Sequence, residues 1–153
     1  LFNIQYGIEI GSAGSSPALI ILMACLLRLA GGWAGDRFGG VSTLRWSFIR
    51  ALPAAIFAGL LPGPGMMTVL LMVLFAALGA ASGATFQVVP LQFPEKTAAA
   101  MGLVGMVGAL GGAAIPLVMA WSYDGTGSFR YGFILFGVLL TAALAGLRLM
   151  KMK

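Results

Sequence analysis

The chain has 153 residues, 60% of them hydrophobic and only 8% charged, and its mean hydropathy is strongly positive. A soluble domain of this size carries roughly a quarter of its residues as charges to build a polar shell, so this composition excludes a water-soluble globule and points to the lipid bilayer as solvent. Nine Lys and Arg against four Asp and Glu give +5, but the basic residues stand at the ends of apolar runs, the pattern that orients membrane segments rather than one that binds nucleic acid.

The sequence has no His, and Cys25, its one cysteine, lies inside an apolar run. The commonest general base and metal ligand is therefore missing, and no cluster of acids or thiols replaces it. No catalytic residues, metal or cofactor are expected, and no enzyme chemistry.

Residues 1–16 are too few to span a bilayer. Tyr6 to Ile10 is apolar apart from Glu9, whereas Gly11 to Ser16 is loop-like. The segment reads either as the truncated end of a preceding helix or as an external lead-in. The opening Leu1-Phe2-Asn3 has neither an initiator Met nor a basic signal-peptide region, so the chain is read as a partial protein.

A spanning helix needs about 20 mostly apolar residues, and five segments qualify: about 17–34, 43–61, 66–91, 97–121 and 131–147. Helices are expected because unpaired backbone in lipid is costly and nothing here alternates like a barrel strand. The turn Pro62-Gly63-Pro64-Gly65 separates the second span from the third. The expected fold is an all-α membrane protein of five complete transmembrane helices forming one bundle over residues 17–150, closed by a basic tail at 148–153. With the Asp36 loop cytoplasmic, Arg37, Arg45, Arg50, Lys96, Arg148, Lys151 and Lys153 lie inside and Arg130 outside, so the carboxyl terminus is expected in the cytoplasm. Trp121 and Tyr123, beside the outer loop Asp124 to Ser128, suit an interfacial aromatic belt.

The loop after the first span reads Gly32-Trp33-Ala34-Gly35-Asp36-Arg37-Phe38-Gly39-Gly40. Its G-x-x-x-D-R-x-G pattern resembles the cytoplasmic signature loop of the major facilitator superfamily, although Gly40-Val41 stand where that family often has a basic pair. The resemblance implies that Gly32, Asp36, Arg37 and Gly39 form a conformational latch between the two halves of a transporter; the plainer reading is an ordinary positive-inside turn. Arg28, inside the first span, is read two ways from position alone. It faces a cavity or partner, as intramembrane arginines usually do, or it snorkels to the interface.

The frame from Arg28 through Gly31-Gly32 to Asp36-Arg37-Phe38-Gly39-Gly40 is similar to the nitrate/nitrite porter family of that superfamily, in which an Arg eight residues before the loop Asp binds the anion. A guanidinium is a planar, permanently charged fork that matches a planar oxyanion. The fourth span, Thr97 to Gly112 followed by Pro116, resembles the family's glycine-rich nitrate signature. It implies substrate contact for Gly102 and Gly105 and helix packing for Gly108, Gly111 and Gly112; packing without substrate contact is the alternative for any one glycine. Ala84-Thr85-Phe86-Gln87 resembles the corresponding family helix. Tyr6-Gly7-Ile8-Glu9-Ile10, with Phe2 four residues earlier, looks like the family's seventh helix and implies a substrate contact for Tyr6, yet only eighteen residues separate Glu9 from Arg28, which is short for such a re-entry.

Taken over residues 17–150, the resemblance implies helices eight to twelve of a twelve-helix fold and most of one half of a major facilitator protein. Its expected partners are nitrate or nitrite, the lipid bilayer and a missing amino-terminal six-helix half. The expected activity is transport by alternating access across the cell membrane. Alternatives are another small-anion or organic-solute carrier of the superfamily, or a non-transporting membrane scaffold packed through the Gly102–Gly112 stripe.

Overall fold

Glycine and proline set where the helices stop. The computed structural model describes residues 2–7 and 15–149, and their regular structure is helical throughout: α1 (Phe2–Tyr6), α2 (Ser15–Phe38), α3 (Gly40–Ala58), α4 (Pro64–Gln92), a 3-10 turn (Pro94–Lys96), α5 (Thr97–Thr126) and α6 (Arg130–Leu149). Glu9, Lys151 and Lys153, and with them most of the expected lead-in and basic tail, lie outside the described residues.

The expected loop at Gly32–Gly40 is almost entirely helix. α2 continues to Phe38, and the chain reverses at Gly39 alone, whose φ of +89° is a conformation that residues with a Cβ rarely adopt. The new helix closes at once, with the Thr43 hydroxyl donating to the Gly39 carbonyl at 3.1 Å. The expected outer loop at 124–128 is likewise shorter. α5 runs through Thr126 and stops at Gly127, which is left-handed at φ +67° and donates its N–H to the Tyr123 carbonyl. α4 starts with Pro64 at its first turn, where a missing N–H is harmless.

Among the described residues, four helices are long and apolar enough to cross a membrane: Pro17–Phe38, Pro64–Gln92, Pro94–Thr126 and Arg130–Arg148. The span expected at 43–61 is not one of them. It forms α3, a 19-residue helix, but Arg45, Arg50 and a run of Ser and Thr dilute its hydropathy. α3 is held by packing instead. Ala51, Ala54, Ala55 and Ala58 form one buried face at helical spacing, set against Met67, Leu70, Leu71 and Leu74 of α4 and Phe133 and Leu140 of α6.

The closest packing is between α2 and α4, which run parallel with α3 returning beside them. Paired positions climb both helices together: Ala24 with Gly79, Arg28 with Gly83, Gly31 with Ala80, Gly35 with Ala84, and Gly40 with Val88 just past the turn. A Cβ on Gly31, Gly79 or Gly83 would collide with the neighbouring backbone, which shows how closely the two chains approach. In lipid no solvent drives helices together, so contact of this kind, made by small residues, supplies the association.

α5 is the exception. It has no buried residues, and nothing lies within 4 Å of where a Cβ would stand on Gly102, Gly105, Gly108, Gly111 or Gly112. The packing role expected for Gly108, Gly111 and Gly112 is therefore not performed among the described residues; that work falls to glycines of α2 and α4.

Gly83→Ala is expected to destabilise the bundle by roughly 1–3 kcal/mol through overpacking against the Arg28 backbone. In this chain by itself, Gly108→Ala, in open space, should be neutral or gain up to about 1 kcal/mol from helix propensity. Denaturant unfolding in detergent, followed by circular dichroism, measures both.

An arginine groove between two helices as candidate functional site

The site follows from the α2–α4 contact. Arg28 and Asp36 are eight residues apart on α2, about 12 Å along the axis, and α4 meets both with consecutive residues. Gly83 lets the α4 backbone rest against the Arg28 carbonyl. One turn later the Phe86 ring lies under the Arg28 guanidinium, 5.0 Å from ring centroid to the central carbon. Gln87 then donates from Nε2 to Asp36 Oδ2 at 3.3 Å. Gly32 and Trp33 complete an open groove with these residues.

The geometry has a chemical meaning. An aromatic face under a guanidinium stabilises it by about 0.5–2 kcal/mol and leaves the in-plane N–H edges unspent. Arg28 is exposed within this chain, and those edges suit a small planar oxyanion better than any point charge would. Of the two position-based readings of Arg28, the structure has the side chain lying across Phe86 in a groove.

Of the four latch residues, Asp36 and Gly32 line this groove, while Gly39 makes the turn beyond it. Arg37 does not pair with its neighbour Asp36. Its guanidinium lies over Trp33 at 5.4 Å and Phe38 at 5.8 Å, two rings that meet edge to face.

The other expected substrate residues are elsewhere. The Tyr6 hydroxyl donates to the Pro62 carbonyl, at the end of α4 opposite Gly83 and about 30 Å from it along the helix. Partial burial there pushes the Tyr6 phenol above its ordinary pKa. Gly102 and Gly105 lie on the open face of α5 and do not line the groove. Conversely, Phe86 and Gln87 were visible in the sequence only through a family resemblance. The signal that could have paired them with Arg28 is Gly79-x-x-x-Gly83, a small-residue spacing that invites another backbone and sets the next turn beside it. Among the described residues no group of His, Cys, Asp and Glu gathers to hold a metal ion.

Comparison with known proteins gives related sequences. The protein named "Probable nitrate transporter NarT" of Staphylococcus haemolyticus is 35% identical over 138 residues, 88% of this chain and 36% of its own length. Its namesake in Staphylococcus aureus is 33% identical over 144 residues, 94% of this chain and 37% of its own length. The chain thus spans little more than a third of the length of the curated relatives it matches. No family model and no solved structure matches it.

Tyr6→Phe is expected to lower stability by about 1 kcal/mol through loss of the hydrogen bond to Pro62. Because Tyr6 is remote from the groove, any stabilisation by nitrate should be unchanged. Thermal unfolding with and without nitrate measures both effects.

Proposed function

We propose, from the premise of kinship with the nitrate/nitrite porter family, that this chain is the carboxyl-terminal part of a secondary transporter that carries nitrate or nitrite across the cell membrane by alternating access. The observation that carries the reading is the Arg28 groove, with its guanidinium laid across Phe86 beside the Gln87 amide. Nitrate is flat and weakly basic; it needs donors that stay charged at every working pH and lie in one plane, and Arg28 supplies them.

In this reading α2 to α6 form most of one half of a major facilitator fold, with α3 as its fifth membrane-crossing helix despite its two arginines. A preceding half of six helices brings the opposite wall and a second arginine. The open stripe Gly102, Gly105, Gly108, Gly111 and Gly112 supports that arrangement, being a small-residue face without a partner among the described residues. Gly102 and Gly105 would approach the anion from it, and the other three would pack on the missing half. The Gly39 turn would face the cytoplasm, as would the carboxyl terminus.

Asp36 and Arg37 act at the cytoplasmic end. Asp36, oriented by Gln87, offers a carboxylate to the opposite half, while Arg37 is held by Trp33 and Phe38. Two arginines facing one monovalent anion leave excess positive charge, greater when the site is empty. Charge repulsion then resists closure of the empty carrier, which favours exchange of nitrate for nitrite, or symport with a cation, over uncoupled flow.

The test is uptake by the full-length protein in proteoliposomes. Arg28→Lys keeps the charge but loses the planar fork, and it is expected to lower kcat/KM for nitrate about ten- to a hundredfold with insertion and folding intact. Wild-type nitrate uptake by that variant would overturn the site. Competition by nitrate, nitrite, chlorate and formate, set against a sugar, separates a nitrate carrier from other carriers of the superfamily.

A further inference from the structure

A second arginine lies on the other flank of α2. On α3, Thr43, Ser47 and Arg50 fall at i, i+4 and i+7 and form a polar stripe on one helix face. With Ser42 and the indoles of Trp33 and Trp46 they line a groove between α2 and α3. Both indoles are 58% exposed, whereas Ser47 is only 5% exposed. This groove shares Trp33 with the Arg28 groove but opens between α2 and α3, whereas the Arg28 groove opens between α2 and α4.

The Cα of Arg50 is ten residues into α3, about 15 Å from its start, and its long side chain, tilted toward the helix N-terminus, shares a groove with Ser42, Thr43 and Trp46 nearer the Gly39 end. Such an arginine is expected to pair with something. Arg28 has Phe86, Arg37 has Trp33 and Phe38, and Arg130 donates to the Gly59 carbonyl. Arg50, like Arg45 and Arg148, has no hydrogen-bond, ion-pair or ring partner among the described residues, and neither has the Ser47 hydroxyl, which opens into the groove. An intramembrane cation and a hydroxyl, both unspent and one turn apart, therefore face one groove.

We propose that this groove binds the headgroup of an anionic phospholipid from the leaflet on the Gly39 side, with the phosphate at Arg50 and the Ser47 hydroxyl and the two indoles at the membrane interface. Charge complementarity selects the occupant. The lining contains a cation and hydroxyls but no carboxylate, so its net positive charge favours an anionic headgroup over a zwitterionic one. The site also gives a reason for the polar stripe of α3, a helix too polar to qualify as a span by its own composition. The proposal is independent of the anion assigned to Arg28.

The experiment is thermal unfolding of the full-length protein in neutral detergent, with added phosphatidylglycerol, phosphatidylcholine or inorganic phosphate. Phosphatidylglycerol is expected to raise Tm by about 5 °C at saturation, phosphatidylcholine much less and inorganic phosphate not at all. Arg50→Gln should abolish the difference between the two lipids, and Arg50→Lys, which keeps the charge, should retain most of it. Equal shifts from both lipids, an undiminished shift in Arg50→Gln, loss of the shift in Arg50→Lys despite normal folding, or a matching shift from inorganic phosphate would each overturn the site.

Discussion

The structure depends on how closely two backbones approach. α2 and α4 touch main chain to main chain at Ala24–Gly79, Arg28–Gly83 and Gly31–Ala80, and everything polar in the arginine groove is placed by that contact. A helix in lipid has no solvent to drive it onto its neighbour, so association rests on dispersion, which falls away within an ångström of lost contact. Glycine is the residue that permits the required distance. The same absence of side chains leaves a channel beside the interface, and larger residues one turn further on, Phe86 and Gln87, meet the charged groups of α2 within it.

Arg28, Asp36 and Arg37 are each given a specific neighbour within the bundle. Aromatic faces do much of this work. Phe86 lies under Arg28, and Trp33 with Phe38 under Arg37. A ring stabilises a cation without neutralising it, so Arg28 keeps its charge available, which an ion pair would consume. Asp36, the acid of the groove, is correspondingly met by an amide, not by a cation. Both charges of the groove are thus supported and neither is cancelled.

Much of this was readable from residue order. Long apolar runs gave helices because lipid allows little else, and Pro62 to Gly65 marked a turn that the structure contains. The frame from Arg28 to Gly40 identified a region where charge and glycine coincide. Two things were hidden for physical reasons. The helix ends at Phe38 and Thr126 lie beyond the apolar runs, where Asp, Arg and Gly suggest a loop in sequence; each helix continues until one glycine, Gly39 or Gly127, takes a positive φ. The glycines of the α2–α4 contact are hidden because a stripe of small residues announces that a backbone could approach, not which one does. Gly102 to Gly112 makes the more regular stripe, yet Gly79 and Gly83 make the contact, since the partner helix is selected by tertiary arrangement.

Arg28 and Asp36 belong to one rigid helix, and Phe86 and Gln87 are neighbours on another. Each helix is stiff over this short distance, so a shift of one helix against the other moves both contacts together. A displacement of α2 past α4 by half a turn breaks the ring contact and the amide contact in the same event. Two modest interactions mounted in this way report one coordinate, the register of α2 on α4.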